Sequence, residues 1–473
     1  MRTTRPAIGF IVGNRDFFPD HLVQEARADI TRLCDECGVE PVLLGPADSK
    51  LGGVETQAEA RTCAALFRAA RERIEGIVVV LPNFGDERAV AETLKVADLR
   101  VPVLIQAYPD ELERLDVKRR RDAFCGKISV CNNLRQSGVP FSLTRRHTVH
   151  LLDAGFRGDL DWFLAVCRVV RGMRSVRLGA VGARPGAFAT VRYSEKILER
   201  NGISVTTVDL SEILGRAAGI GEGDSRIAAK VREIKAYANA TLVPQPSMIQ
   251  MARLGVVLDE FIAEQKLDAT AIQCWTSLQQ NHGCNVCTSM SMLSEAMLPS
   301  ACEVDIMGAL SMRSMQLAAN SPSALVDWNN NYGDQGDRCV LFHCGNWAKS
   351  FLVDPEVSTA PILGTVVGEE NTYGALAGRS RSGPLTFGRL TTDDCAGRIR
   401  GYVGEGQLTS DELATFGTRA VARIPRLNEL MRRVCEQGFE HHVAITLSST
   451  ADALDEAWSK YLGWDVLRHP PGD

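Results

Sequence analysis

The chain has 473 residues, 45% of them hydrophobic and 23% charged, with a formal net charge of −5. That length exceeds one ordinary core, so two or three domains are expected. The composition is that of a globular chain, the mildly acidic balance excludes a dominant basic stripe for nucleic acid, and no apolar run reaches the ~20 residues of a membrane helix.

The apolar stretch at 7–13 is cut short by Asn14-Arg15-Asp16. It reads as a first strand and not as an export leader, so a cytoplasmic chain is expected. There are 14 cysteines, including the pairs Cys34/Cys37 and Cys284/Cys287. The two pairs lie too far apart in the chain for a zinc ribbon. Cys34 and Cys37 share one apolar face of a helical pattern and read as buried free thiols. The basic run at 118–121 reads as a solvated helix face.

In chain order, a strand at 7–13 precedes a helix at 23–38 that stops at Gly38. A short strand, another helix, a buried strand at 75–82, a helix and a strand at 101–107 follow. This is a β-α-β series with short connections, hence a parallel sheet covered on both faces. A helix at 160–173 leads into a second such series, with strands at 175–183, 203–210 and 270–275 and helices at 223–239 and 247–265. Its glycines do not form a G-x-G-x-x-G, so no dinucleotide site is expected. From about 355 the texture turns to short runs rich in Gly, Thr and Val, which read as antiparallel β, with one basic helix at 427–438 and a strand from His441. The expected architecture is two doubly wound α/β domains, 1–165 and 166–350, followed by a β-rich domain at 351–473.

Chemistry-bearing residues gather where apolar runs end. Glu303 and Asp305 interrupt the small, apolar run PSACEVDIMGAL; Asp327 follows SALV, His343 follows CVLF, and His441-His442 open HHVAITL. Open α/β folds place chemistry outside strand ends. Two carboxylates with one or two imidazoles suit a divalent cation such as Mn²⁺ and leave positions for substrate oxygens. Each residue alone also has a structural reading. Glu303 can pair with Arg313, Asp327 can cap the Asn-rich loop, and His343 can be a satisfied core histidine. Neighbours on a strand point oppositely, so at most one of His441 and His442 ligates.

The segments QCW (273–275), ACEVDIMGALSM (301–312), VDWNN (326–330), FHCGN (342–346) and HH (441–442), in this order, resemble the L-fucose isomerase and L-arabinose isomerase superfamily. GFIVGNRDFFP, FCGKISVCNNLRQSGVPFS (124–142) and GARPGAFATVRYSEKILERNGISV (182–205) are similar to its shorter, fucose-isomerase-like branch. The resemblance implies a three-domain subunit and a Mn²⁺-dependent aldose–ketose isomerase. It implies Glu303, Asp327 and His442 as metal ligands, with the two carboxylates also moving the proton between C1 and C2 of an open-chain sugar. In the arabinose enzymes a further ligand resembles His343; in the fucose enzymes that position is less clearly a ligand. Asp305 is expected on a strand, facing elsewhere than Glu303 and holding the structure. Arg15 resembles a substrate-binding arginine, and Gln273, Trp275, Asn346 and His441 are further candidates for sugar contacts. A homo-oligomer, a trimer or hexamer with the site near a subunit interface, is implied.

The chain is shorter than the fucose enzymes in its last third, which leaves the sugar open. The choices are a neutral hexose or pentose, or an anionic sugar such as sulfoquinovose, isomerised to sulfofructose. An anionic group calls for arginine or lysine, and Arg15, Lys127, Arg135 and Arg184 are candidates. A non-catalytic sugar-binding protein on the same scaffold is the alternative of another class.

Overall fold

Alternating short apolar runs and amphipathic helices build a parallel sheet first. The structure is a computed structural model describing residues 5–470. Strands β1 (Ala7–Val12), β2 (Glu40–Val42), β3 (Ile74–Leu81), β4 (Val103–Ala107) and β5 (Ser142–Leu143) lie in the order β2-β1-β3-β4-β5, all parallel. β1 is buried throughout. Its residues alternate between two apolar layers, Ile8, Phe10 and Val12 on one face and Ala7 and Ile11 on the other. Val78 and Val79 of β3 divide the same way, which is the period of two in a strand covered on both sides.

Local signals end the helices where the sequence predicts. The helix His21–Cys37 stops at Gly38, whose φ of 66° is the left-handed conformation glycine adopts without strain. The helix Glu87–Ala97 starts at Asp86, whose side chain accepts from the amides of Arg88 and Ala89.

The described residues up to Arg171, with Lys460–Leu462, form one compact unit. Gly172–Ser459 and the residues from Gly463 on form a second. In the second unit, β6 (Arg177–Val181), β7 (Ser204–Val208), β8 (Ala269–Ile272) and β9 (Ser300–Ala301) make a parallel sheet in the order β7-β6-β8-β9. The same unit holds nine further strands in one sheet. They are β10 (Ala324–Asn331), β11 (Arg338–His343), β12 (Leu352–Ser358), β13 (Ala375–Ser380), β14 (Gly383–Asp393), β15 (Arg398–Leu408), β16 (Thr418–Arg423), β17 (His442–Thr446) and β18 (Asp465–Arg468). Their order is β12-β13-β16-β11-β10-β17-β14-β15-β18, and an added pairing of β15 with β16 closes six of them into an antiparallel ring. The first strands of this sheet, β10 and β11, come earlier than the Gly/Thr/Val-rich texture that signals the rest. Among the described residues no helix is long and apolar enough to cross a membrane.

One close approach fixes the first unit. Gly126 lies in the helix Ala123–Gln136, and a Cβ there would sit 2.1 Å from the carbonyl oxygen of Phe84, in the loop after β3. Backbone cannot yield as a side-chain tip does. Gly126→Ala is expected to destabilise the first unit by about 1–3 kcal/mol, read as a lower midpoint in urea unfolding; an unchanged midpoint would show that this approach is not a constraint.

Candidate active site

The site begins where β9 ends. After Ala301 the chain makes a sharp turn in which Glu303 and Val304 have φ values of 55° and 54°. Left-handed conformations cost L-residues roughly 1–2 kcal/mol each, and a β-branched residue there is an outlier. The turn lets a helix, Ile306–Ala319, start at once, with Asp305 as its N-cap accepting from the Gly308 amide at 2.8 Å. This corrects the expectation for Asp305. It does not lie on a strand facing away; β9 is already over, and Asp305 turns back under the site as a cap.

Asp305 anchors a buried polar network. Arg389, from β14, grips its two carboxylate oxygens at 2.5 and 2.9 Å, and both side chains are fully buried. The Nε of Arg389 reaches Glu440 at 3.2 Å, and Thr391 donates to the other oxygen of Glu440 at 2.6 Å. Burial alone would raise the Asp305 carboxyl. The Arg389 charge and the hydrogen bonds from His442 and Arg389 outweigh it and hold Asp305 far below the usual carboxylate range. An ionised carboxylate only accepts. The 2.8 Å contact between Asp305 Oδ2 and His442 Nδ1 is therefore a donation from the ring. That fixes the tautomer and turns the lone pair of His442 Nε2 outward, the arrangement carboxylates impose on metal-binding histidines.

Two carboxylates approach His442 in front of this anchor. His442 Nε2 is 3.7 Å from Glu303 Oε2 and 3.4 Å from Asp327 Oδ1. The register of β10 against β17 sets Asp327 directly opposite His442. Glu303 is held from behind, its Oε1 accepting the indole N–H of Trp275 at 3.0 Å and the thiol of Cys274 at 3.3 Å. Glu303 Oε2 and Asp327 Oδ1 are buried and have no hydrogen-bond partner. Leaving two anionic oxygens unpaired in a buried site is costly, and a divalent cation satisfies both together with the imidazole. The donor set thus fits a metal. Two groups, Glu303 with His343 and His442, and Asp327 with His441 and His442, bring their ligand atoms within 4.8 Å of one another.

His343 is oriented differently from His442. The Cys344 amide donates to its Nδ1 at 3.0 Å, so the neutral ring carries its hydrogen on Nε2, which lies 3.8 Å from Glu303 Oε2. His441 Nε2 sits 3.6 Å from Asp327 Oδ1, on the more exposed side. Gln273 spends its Oε1 on the Ala183 amide at 2.9 Å, holding the turn after β6. Asn346 is fully buried and neither end of its amide has a partner. Arg15 lies in the first unit, where it donates to the Gly85 carbonyl at 2.8 Å, pairs with Glu87 and stacks on Phe84. Lys127, also there, is buried against Thr144 and the His147 carbonyl, and burial pushes its ammonium down to about 8.

Phe188 was not singled out from the sequence. It comes from the loop between β6 and β7, and its ring packs against those of Trp275, His441 and His442 at centroid distances of 6.0, 5.4 and 5.5 Å. Nothing in GARPGAFATV marks one phenylalanine as a cover. Arg389 and Glu440 also escaped notice, because their partner lies far away in sequence.

Residues 9–174 match the family model for the fucose/sulfoquinovose isomerase N-terminal domain, and residues 341–469 match the L-fucose isomerase C-terminal domain. The chain belongs to the fucose-isomerase-like family. Together the two matches, in their proper order, span more than half of it. It is similar to a sulfoquinovose isomerase of Alkalicoccus urumqiensis, 25% identical over 75% of this chain and 78% of that one. It is also similar to one of Priestia aryabhattai, 22% identical over 81% and 83% of the two chains. This family member is an aldose–ketose isomerase, built from two parallel α/β sheets and a strand-rich C-terminal part. Fucose isomerases are generally metal-dependent, and the residues around His442 offer the ligands.

Removing the anchor separates two effects. Arg389→Met leaves Asp305 and Glu440 buried without their guanidinium partner, and is expected to cost about 3–5 kcal/mol of stability in denaturant unfolding. Asp305→Asn is expected to weaken divalent-metal binding roughly 10–100-fold by calorimetry, since an amide, unlike the carboxylate, no longer obliges His442 Nδ1 to donate. Wild-type affinity in Asp305→Asn would refute that coupling.

Proposed function

We propose that this isomerase converts sulfoquinovose to sulfofructose, with Mn²⁺ held by Glu303, Asp327 and His442. The observation that carries the metal assignment is that Glu303 Oε2 and Asp327 Oδ1, 3.7 and 3.4 Å from His442 Nε2, are buried without a hydrogen-bond partner. The relatives named above support the substrate. So does Arg184, which follows β6 and donates to the Pro185 carbonyl at 3.0 Å without meeting a carboxylate. With Arg192 it lines a cleft of about 860 Å³ at the carboxyl ends of β6 and β7 that also touches Val304, next to Glu303. Arg400 in the same cleft is engaged by Asp393, which leaves Arg184 and Arg192 for a sulfonate.

The chemistry is a proton moved between C1 and C2 of the open-chain sugar. A divalent cation supplies positive charge for the two sugar oxygens as an enediolate develops. The chain's own residues do the rest. Glu303 and Asp327 are the carboxylates that take and return the carbon proton. Trp275 fixes Glu303 by one oxygen and leaves the other free. His343, with its hydrogen on Nε2, acts as a donor toward Glu303 or the sugar and not as a further ligand. Phe188 and Trp275 shield the reacting carbons from water, and Asn346 and His441 are available to hydroxyls.

The working form is a homo-oligomer, a trimer or hexamer, in which Arg15 on the first unit of a neighbouring subunit helps close the site. Apolar side chains exposed on that unit, Phe17 at 75% and Val117 at 84%, support a covered surface there. All 14 cysteines are free thiols, which suits the reducing cytoplasm.

A panel of aldoses assayed for ketose formation with Mn²⁺ is the test. Turnover of sulfoquinovose, lost on chelation and restored by Mn²⁺, is expected, and Arg184→Ala should raise KM for it with kcat largely kept. Turnover of L-fucose, L-rhamnose or a pentose instead would overturn the sulfonate reading and return the arginines to structural roles. Glu303→Gln should lower kcat by roughly 10²–10⁴-fold with the fold intact by circular dichroism; near-normal turnover would sink its role.

A further inference from the structure

Glu303 has a second face. Its Oε2 looks toward His442 and Asp327, but its Oε1 looks toward sulfur. Cys274 follows β8 and Cys302 follows β9, neighbouring strands of the parallel sheet. Both thiols are buried, and their sulfurs and a Glu303 carboxylate oxygen lie within 4.8 Å of one another. The sulfur does not stop there. Met290 Sδ is 4.0 Å from Cys302 Sγ, and Cys344 Sγ is 3.5 Å from His343 Nδ1. The rear of the carboxylate is thus a soft, polarisable pocket behind a hard oxygen-and-nitrogen site.

We propose that Cys274, Cys302 and Glu303 form a separate site for a thiophilic divalent cation, Zn²⁺ or Cd²⁺, whose occupation switches the isomerase off. Thiolates prefer such ions, whereas carboxylate oxygens with one imidazole suit Mn²⁺. Zinc holds sulfur at about 2.3 Å and carboxylate oxygen at about 2.0–2.2 Å in a tetrahedron. The three ligand atoms already lie within 4.8 Å of one another. Binding forms two metal–sulfur bonds and one metal–oxygen bond and releases the two thiol protons to solvent. Nothing is oxidised or reduced. The bound ion adds a second positive charge to Glu303, through Oε1, beyond that of the first metal, and so weakens the carboxylate as a base toward carbon. Only this inhibitory arm rests on the proposed role of Glu303; the binding arm does not.

The test titrates the Mn²⁺-loaded protein with Cd²⁺ in the absence of sugar. Expected are a thiolate-to-cadmium charge-transfer absorption that saturates at one ion per chain, release of two protons, and, in a parallel assay, turnover that falls in step. Cys302→Ser should keep Mn²⁺-supported turnover and lose both the absorption and the inhibition. No absorption in the wild type, or the same absorption and inhibition in Cys302→Ser, would overturn the site. Should that variant not fold, the wild type is alkylated under native conditions, which blocks the exposed Cys125, Cys395 and Cys435. An absorption that survives belongs to buried thiols and supports the site, and one that disappears refutes it. Saturating absorption in a protein inactive on every sugar would sink the proposed function and leave this site standing.

Discussion

The second unit depends on one buried ion pair. Arg389 comes from a strand of the antiparallel ring, and Asp305 caps the helix that leaves the parallel sheet. Neither side chain touches water. Burying both charges carries a desolvation penalty of several kcal/mol per ion, repaid only by good geometry and full hydrogen bonding. Here the guanidinium meets two carboxylates, and Asp305 adds a helix amide and an imidazole N–H to its acceptances. The pair is weak evidence for stability as such. Its value is orientation: it binds the sheet bearing Glu303 to the ring bearing Asp327 and His442, and it decides which nitrogen of His442 is free.

Glu303 then sits at a junction between two chemistries. The turn that carries it holds consecutive left-handed residues, one of them a valine. A turn that unfavourable persists only where its surroundings over-determine it. The cap at Asp305, the indole of Trp275 and the thiol of Cys274 supply that determination. One carboxylate oxygen is thereby committed to the protein and the other is left for a ligand.

Much of this was legible in the sequence, for physical reasons that also mark where legibility ends. Short continuous apolar runs located β1, β3, β4 and β6 to within a few residues, because strands buried on both faces are apolar nearly throughout. Gly38 closed its helix because only a left-handed residue fits there. Resemblance brought Glu303, Asp327 and His442 together before any geometry was available. The misses have a common origin. Asp305 reads as one more residue of an extended run, because the turn at Glu303 and Val304 uses residues that no turn rule selects. Arg389 and Glu440 look like ordinary strand and loop charges, because a buried pair separated by many residues leaves no local pattern. Phe188 reads as an apolar loop residue, since only the fold puts it over the imidazoles.

The closure of six strands into a ring has a consequence for how substrate range can change. Asp327 and His442 stand opposite each other on β10 and β17, and neither strand has a free edge from which to unzip. Their separation is as rigid as the hydrogen-bond ladder itself. What can vary is the segment between β6 and β7, which carries Arg184, Phe188 and Arg192. New sugars would be acquired by rewriting that segment while Asp327 and His442 keep their places in the ladder. Loop exchange between relatives is then a more promising route to altered specificity than substitution around the metal.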